Sequence, residues 1–135
     1  MKTKPVLTAA DVKTILEASQ SHAVSKGWAV TISVVDDGGH LLGLVRLDGA
    51  APISAHISPA KAHTSAIGQR DSGAYEKMIN EGRIAFLSAP KLTGMLEGGV
   101  PITVDGIVVG AVGVSGVKSN EDVEIARAGI AALKV

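Results

Sequence analysis

Cysteine is absent from the 135 residues, which excludes disulfides, thiolate metal sites and thiol nucleophiles. Aromatic residues are nearly absent, with only Trp28, Tyr75 and Phe86. The core must therefore be built from Val, Ile, Leu and Ala, and stacking of nucleic-acid bases has almost nothing to use. Neither sign of charge dominates: 13 basic residues face 13 acidic ones, leaving no electrostatic footprint for a phosphate backbone. No apolar stretch reaches the roughly 18 residues of a membrane span, and the run from Ile107 to Val114 is strand-sized. Met1 to Pro5 is basic but leads into a polar, helix-like segment rather than the apolar centre of an export signal. The expectation is a cytoplasmic protein without nucleic-acid or membrane partners.

What is present falls into clear periods. Thr8 and Asp11 read as a helix cap and its acidic partner. Val12, Ile15, Leu16, Ser19 and Ala23 follow at helical spacing, and Gly27 supplies a left-handed stop. Trp28 to Val35 alternates, with Trp28, Val30, Ile32 and Val34 on one face. Asp36-Asp37-Gly38-Gly39-His40 has hairpin-turn chemistry, and Leu41 to Leu47 is the returning strand. A small-residue helix through Ala60, Ala62, Ala66 and Ile67 begins either at Ser58, which puts Pro59 at the first helical position, or near Ser54. Ala74 to Glu81 forms a short helix, while Pro90 and Gly94 leave residues 82–97 as an irregular or mobile segment.

The second hairpin has Val100, Ile102 and Val104 alternating, Asp105-Gly106 as its turn, and Ile107 to Ser115 as a nearly continuous apolar strand. Such continuity predicts burial on both faces and a central place in the sheet. Gly110 and Gly113 then permit a close approach to that strand. Ser119 caps a last helix carrying Asp122, Val123, Ala126, Ile130 and Leu133. The order helix, hairpin, two helices, hairpin, helix predicts an α+β domain over residues 1–135, with the hairpins joined into one antiparallel sheet and the helices covering it.

Several residues invite a chemical reading. Asp36, Asp37 and Asp48 stand at turn positions, where carboxylates cap strand ends. Gly113-Val114-Ser115-Gly116-Val117 lacks the last glycine of a nucleophile elbow, so Ser115 has only part of that motif. Arg46 lies in a mostly apolar strand, where an unpaired cation is costly. It calls for an internal carboxylate or a pocket holding an anionic ligand. Lys61 sits between alanines, either as a solvated lysine or as a pocket cation. His56 and His63 share a helix face only if that helix starts near Ser54, and even then they stand about 10 Å apart along its axis. The i,i+4 histidine pair of helical zinc sites is missing, so no dedicated metal site is expected.

Val34-Val35-Asp36-Asp37-Gly38-Gly39-His40-Leu41, Arg46-Leu47-Asp48-Gly49, Ala60-Lys61-Ala62-His63-Thr64-Ser65-Ala66 and Gly98-Gly99-Val100-Pro101-Ile102 occur in this order. With Asp105-Gly106 through Gly116 and Ala126-Arg127-Ala128-Gly129, they resemble the GlcG/HbpS family, which is related to the C-terminal domain of PduO-type proteins. The resemblance implies a profilin- or PAS-like antiparallel sheet of about five strands, frequent homo-oligomerisation, and haem or another small molecule as ligand. It also implies a place beside catabolic enzymes, and it raises the pocket reading of Lys61.

A haem needs one axial ligand from a chain, or two from different helices. His63 is the preferred candidate, with His22 and His56 behind it. The ligand-site candidates are therefore Arg46, Lys61, His63, His56, Asp36 and Ser115. One reading is a small-ligand or haem-binding protein, with its pocket between the Ala60–Ala66 helix and the sheet. A second is an enzyme on a small organic acid or aromatic catabolite, with His63 as acid/base and Lys61 or Arg46 holding an anion. A third is an oligomeric sensor or accessory subunit.

Overall fold

The computed structural model describes all 135 residues. Thr8 caps the first helix, α1 (Ala9–Lys26): its side chain accepts the Asp11 N–H while the Asp11 carboxylate accepts the Thr8 N–H. Gly27, at φ 72°, ends it in the left-handed conformation. The first hairpin is β1 (Thr31–Asp36) and β2 (Leu41–Arg46). Helices α2 (Ser54–Gly68) and α3 (Ser72–Asn80) follow, then a short 3-10 helix at Ile84–Ser88. Strands β3 (Gly99–Val104) and β4 (Ile107–Ser115) form the second hairpin, and α4 (Ser119–Ala131) closes the chain.

The sheet has four antiparallel strands in the order β2-β1-β4-β3, one fewer than the five implied by the family resemblance. Two hairpins supply only four strands, and the irregular residues before β3 do not add another. Both inner strands are buried on both faces. For β4 the apolar run foretold this, but β1 is central too, and its polar members Thr31 and Ser33 are fully buried. Trp28 lies ahead of β1, and β2 stops at Arg46 rather than Leu47.

One face of the sheet carries the apolar core. Val30, Ile32, Val34, Val100, Ile102, Val112 and Val114 pack with Val12 and Ile15 of α1 and Ile125 and Ala126 of α4. The opposite face is covered by α2, and hydroxyl pairs flank a small apolar cluster in its contact. Thr31 donates to Ser54 Oγ (2.8 Å), which donates to Ala51 O (2.6 Å). Ser33 likewise donates to Ser58 Oγ (2.7 Å), which donates to Gly113 O on β4 (2.8 Å). Each hydroxyl has one hydrogen to give, so the direction of every bond is fixed.

These rungs also decide where α2 starts. Only a helix beginning at Ser54 brings Ser54 and Ser58, four residues apart, onto the sheet together. That leaves Pro59 inside the second turn. A Cβ at Gly113 would collide with Ser58 O and Ala62 N, so the glycine sets how closely the helix lies.

One further expectation is corrected. Ser119 is the first residue of α4 rather than its cap: Lys118 holds the cap position, and its N–H is taken by the Glu121 carboxylate at 3.2 Å. The segment 82–97 is irregular as expected, apart from the 3-10 turn, and it is tied to the helices where Gly94 N–H donates to Thr64 Oγ1 (3.0 Å) and Ser72 Oγ donates to Leu96 O (2.5 Å). No helix is long and apolar enough to cross a membrane.

Candidate functional site

Helix α2 divides the candidates between its two flanks. On the flank toward β3 and α4, Lys61 is turned inward. Its Nζ donates to Val114 O at 2.9 Å and to Asp122 Oδ2 at 3.0 Å, with 4% of Lys61 and 2% of Asp122 exposed. The other Asp122 oxygen accepts Val117 N–H at 3.2 Å. Burial raises the Asp122 carboxyl above its ordinary range, and the Lys61 charge and these hydrogen bonds only partly oppose it. Lys61 is thus neither solvated nor free to hold an anion. It joins α2 to the end of β4 and the start of α4. Gly98 is required beside it, since a Cβ there would press on Lys61 Nζ and Val114 O.

The other flank faces the first hairpin. His63 is half-buried, and its Nδ1 lies 3.0 Å from Gly39 O. A carbonyl can only accept, so Nδ1 carries a proton, and in the neutral ring the lone pair is therefore on Nε2. A histidine ligand is oriented in the same way, by donating its other ring N–H to a backbone carbonyl. A Cβ at Gly39 would strike the His63 ring, so that glycine is needed for the ring's position as well as for its φ of 80°.

Strand β2 lies beside this flank. A Cβ at Gly43 would meet Val12 and Leu16 of α1, so Leu44 and Arg46, one residue out of phase, face the α2 side. Leu44 pairs with Ser33, the residue that binds Ser58 of α2. Leu41, Leu42 and Leu44 are exposed. Arg46 has no carboxylate partner; its Nε and Nη2 donate to Ala50 O at 3.2 and 2.9 Å. The internal ion pair expected for it is replaced by a carbonyl, because β2 is an edge strand where the guanidinium reaches solvent.

The remaining candidates have other employment. His56 is exposed on α2. His22 Nε2 meets Glu124 Oε2 at 2.7 Å, tying α1 to α4 across the sheet from α2. Asp36 accepts Gly38 N–H, His40 N–H (both 2.9 Å) and His40 Nδ1 (3.0 Å). Burial would raise its carboxyl, but these hydrogen bonds prevail and lower it. Ser115 is buried at the end of β4, opposite Thr31.

Lys61, His63 and Arg46 therefore do not converge. The contact between α2 and the sheet, where the ligand pocket was expected, is filled by Val35, Ala62, Ala66, Ala111 and the hydroxyl rungs. Cavities lie elsewhere. One of about 310 Å³ is at α3, and one of about 320 Å³ is beside Trp28. Sequence reasoning missed Asp122 as the partner of Lys61. The signal available was an acidic residue, Asp122, in the first turn of α4, which the sequence placed on that helix without a partner.

Residues 7–131 match the family described as haem degrading protein HbpS-like. The chain belongs to this family. Protein GlcG from Escherichia coli (strain K12) is 54% identical over 115 residues, covering 85% of each chain. Among solved structures, a double mutant of HbpS from Streptomyces reticuli is 29% identical with a TM-score of 0.89, covering 100% of this chain and 92% of its own. The PduOC–haem complex is 25% identical with a TM-score of 0.87, covering 97% of both chains. The HbpS-like fold is thus shared along essentially the whole chain, including α2 and both hairpins.

Proposed function

We propose that this protein binds haem, or a comparable planar and anionic small molecule, on the flank of α2 that faces β2. The observation that carries this reading is His63: Nδ1 is committed to Gly39 O, and Nε2 is left with its lone pair. A porphyrin offers an apolar face, an axial metal position and acidic side groups. Leu41, paired with the α2-facing Val35, and Leu44 supply apolar surface, and Arg46 supplies a guanidinium with one Nη uncommitted. Ser54, beside the Arg46 end, is nine residues from His63, roughly 14 Å along the helix, which is the scale of a porphyrin with its side groups. The residues present fit the group, and His63 would be its axial ligand. That a relative was solved as a haem complex supports the reading.

The role is that of a binding protein accessory to a catabolic pathway, acting as a homo-oligomer. Edge strand β2 carries exposed leucines and no proline, whereas the opposite edge, β3, carries Pro101, which has no N–H to offer a further strand. An open edge can pair with its own copy about a two-fold axis. Hemin titration of the purified protein tests the ligand: a saturable Soret shift is expected in the wild type and a loss of at least about tenfold in affinity in His63→Ala. Unsaturable hemin uptake, or titrations that coincide for the two proteins, would defeat the proposal.

A further inference from the structure

A hollow lies against α3, away from the flank of α2 that carries His63. The cavity of about 310 Å³ is lined by Ile79, Leu87, Met95 and Leu96, with Glu76, Asn80 and Thr93 as its polar members. Its walls are held from several directions. Tyr75 of α3 packs on Phe86 of the 3-10 helix, with ring centroids 5.3 Å apart. Gly94 is bound to Thr64, and a Cβ there would run into the backbone of Ala60 and Lys61, so the loop before β3 is pressed against α2. Ser72 accepts Gly99 N–H and donates to Leu96 O. The hollow is a fixed feature rather than a gap between loose segments.

Its chemistry is one-sided. Glu76 lines the cavity yet forms no ion pair and no side-chain hydrogen bond, whereas its neighbours Lys77 and Glu81 pair with each other along α3 and Arg83 lies over Phe86. Glu76 is part-buried and open to solvent on one side, so its carboxylate is free to meet a cation entering the hollow and form a charge-assisted hydrogen bond with it. An ammonium has three hydrogens to donate, and the Glu76 carboxylate, the Asn80 carbonyl and the Thr93 hydroxyl can all accept. The volume is at the small end of ligand pockets. It holds a compact body with a handful of heavy atoms and nothing the size of a porphyrin.

We infer that this cavity is a binding site for a small primary amine, an apolar body carrying one ammonium group, separate from the His63 flank. Methyl-detected NMR titration with benzylamine, benzyl alcohol and benzoate tests it. Benzylamine should give saturable shifts at Ile79, Leu87, Met95 and Leu96, approaching saturation by roughly 10 mM, the range open to so small a ligand. Benzoate and benzyl alcohol should bind at least about tenfold more weakly. Glu76→Gln should remove that preference, and Leu87→Trp, at a residue 62% exposed and outside the core, should block the hollow. His63→Ala should leave the amine titration unchanged, whatever it does to hemin. Equal binding of benzoate, an undiminished amine preference in Glu76→Gln, shifts scattered away from these residues, or loss of amine binding in folded His63→Ala would each overturn the inference.

Discussion

Lys61 and Asp122 are the only charged side chains buried in the protein. Removing one partner of such a pair leaves the other charge without compensation, which costs about 3–5 kcal/mol. Lys61→Met is therefore expected to lower unfolding stability by that amount, read from urea denaturation. The pH dependence has a definite sign. A carboxyl raised in the folded state binds more protons there than in the unfolded chain, so its contribution to stability falls as pH rises from the unfolded to the folded value. Without Lys61 the carboxyl rises further, and the deficit of Lys61→Met should be smaller near about pH 4.5 than near about pH 7.

Asp36 behaves oppositely. Its carboxyl is lowered, so its stabilisation is present above the ordinary aspartate value and lost as pH falls through the folded one. Asp36→Asn should be less stable than wild type at neutral pH, and the two melting curves should converge in acid.

Helix α2 shows how an element can be legible in outline and hidden in detail. Its small residues announced close packing, and the structure places Ala62 and Ala66 on the sheet with Gly113 opposite. Two starts fitted the local rules, however. The deciding contacts, Ser54 to Thr31 and Ser58 to Ser33, join residues more than twenty positions apart. A serine reads as surface by itself, and no local pattern reports that a hydroxyl will meet it from the sheet. The same limit applied to Lys61, whose partner lies 61 residues away. His56 and His63, which helical spacing put on one face, stay off the buried face of α2, but the Gly39 carbonyl that orients His63 lies 24 residues away and no local pattern announces it. At this scale the sensitive point is Gly113. Gly113→Ala drives a methyl into the α2 backbone and should cost about 1–3 kcal/mol, seen as a lowered thermal midpoint.

Across the whole molecule, the order of helices and hairpins was enough to give the α+β class, and the apolar run Ile107 to Ser115 gave the central position of β4. The strand count implied by resemblance was one too high. The two helical layers differ in kind. The layer of α1 and α4 is held chiefly by aliphatic packing, while that of α2 adds hydroxyl hydrogen bonds to a small apolar cluster and is joined to α4 by one ion pair. Beside the second layer, edge strand β2 keeps Leu42 and Leu44 exposed. Replacing both by lysine should reduce the mass measured by light scattering, since charged edges resist pairing with another copy; an unchanged mass would place assembly on another surface.

The hydroxyl rungs under α2 make it a keyed element. Inserting one residue between Arg46 and Ser54 would rotate the helix by about 100° relative to the sheet unless the loop absorbed it. Ser54, Ser58, Lys61 and His63 would then leave their partners in the same step. The Asp105-Gly106 turn has no such coupling, since a Cβ at Gly106 meets nothing within 4 Å. Length variation among natural relatives and in insertion libraries should accordingly collect at the second hairpin's tip, and the seven residues between β2 and α2 should keep their number even where their identities drift.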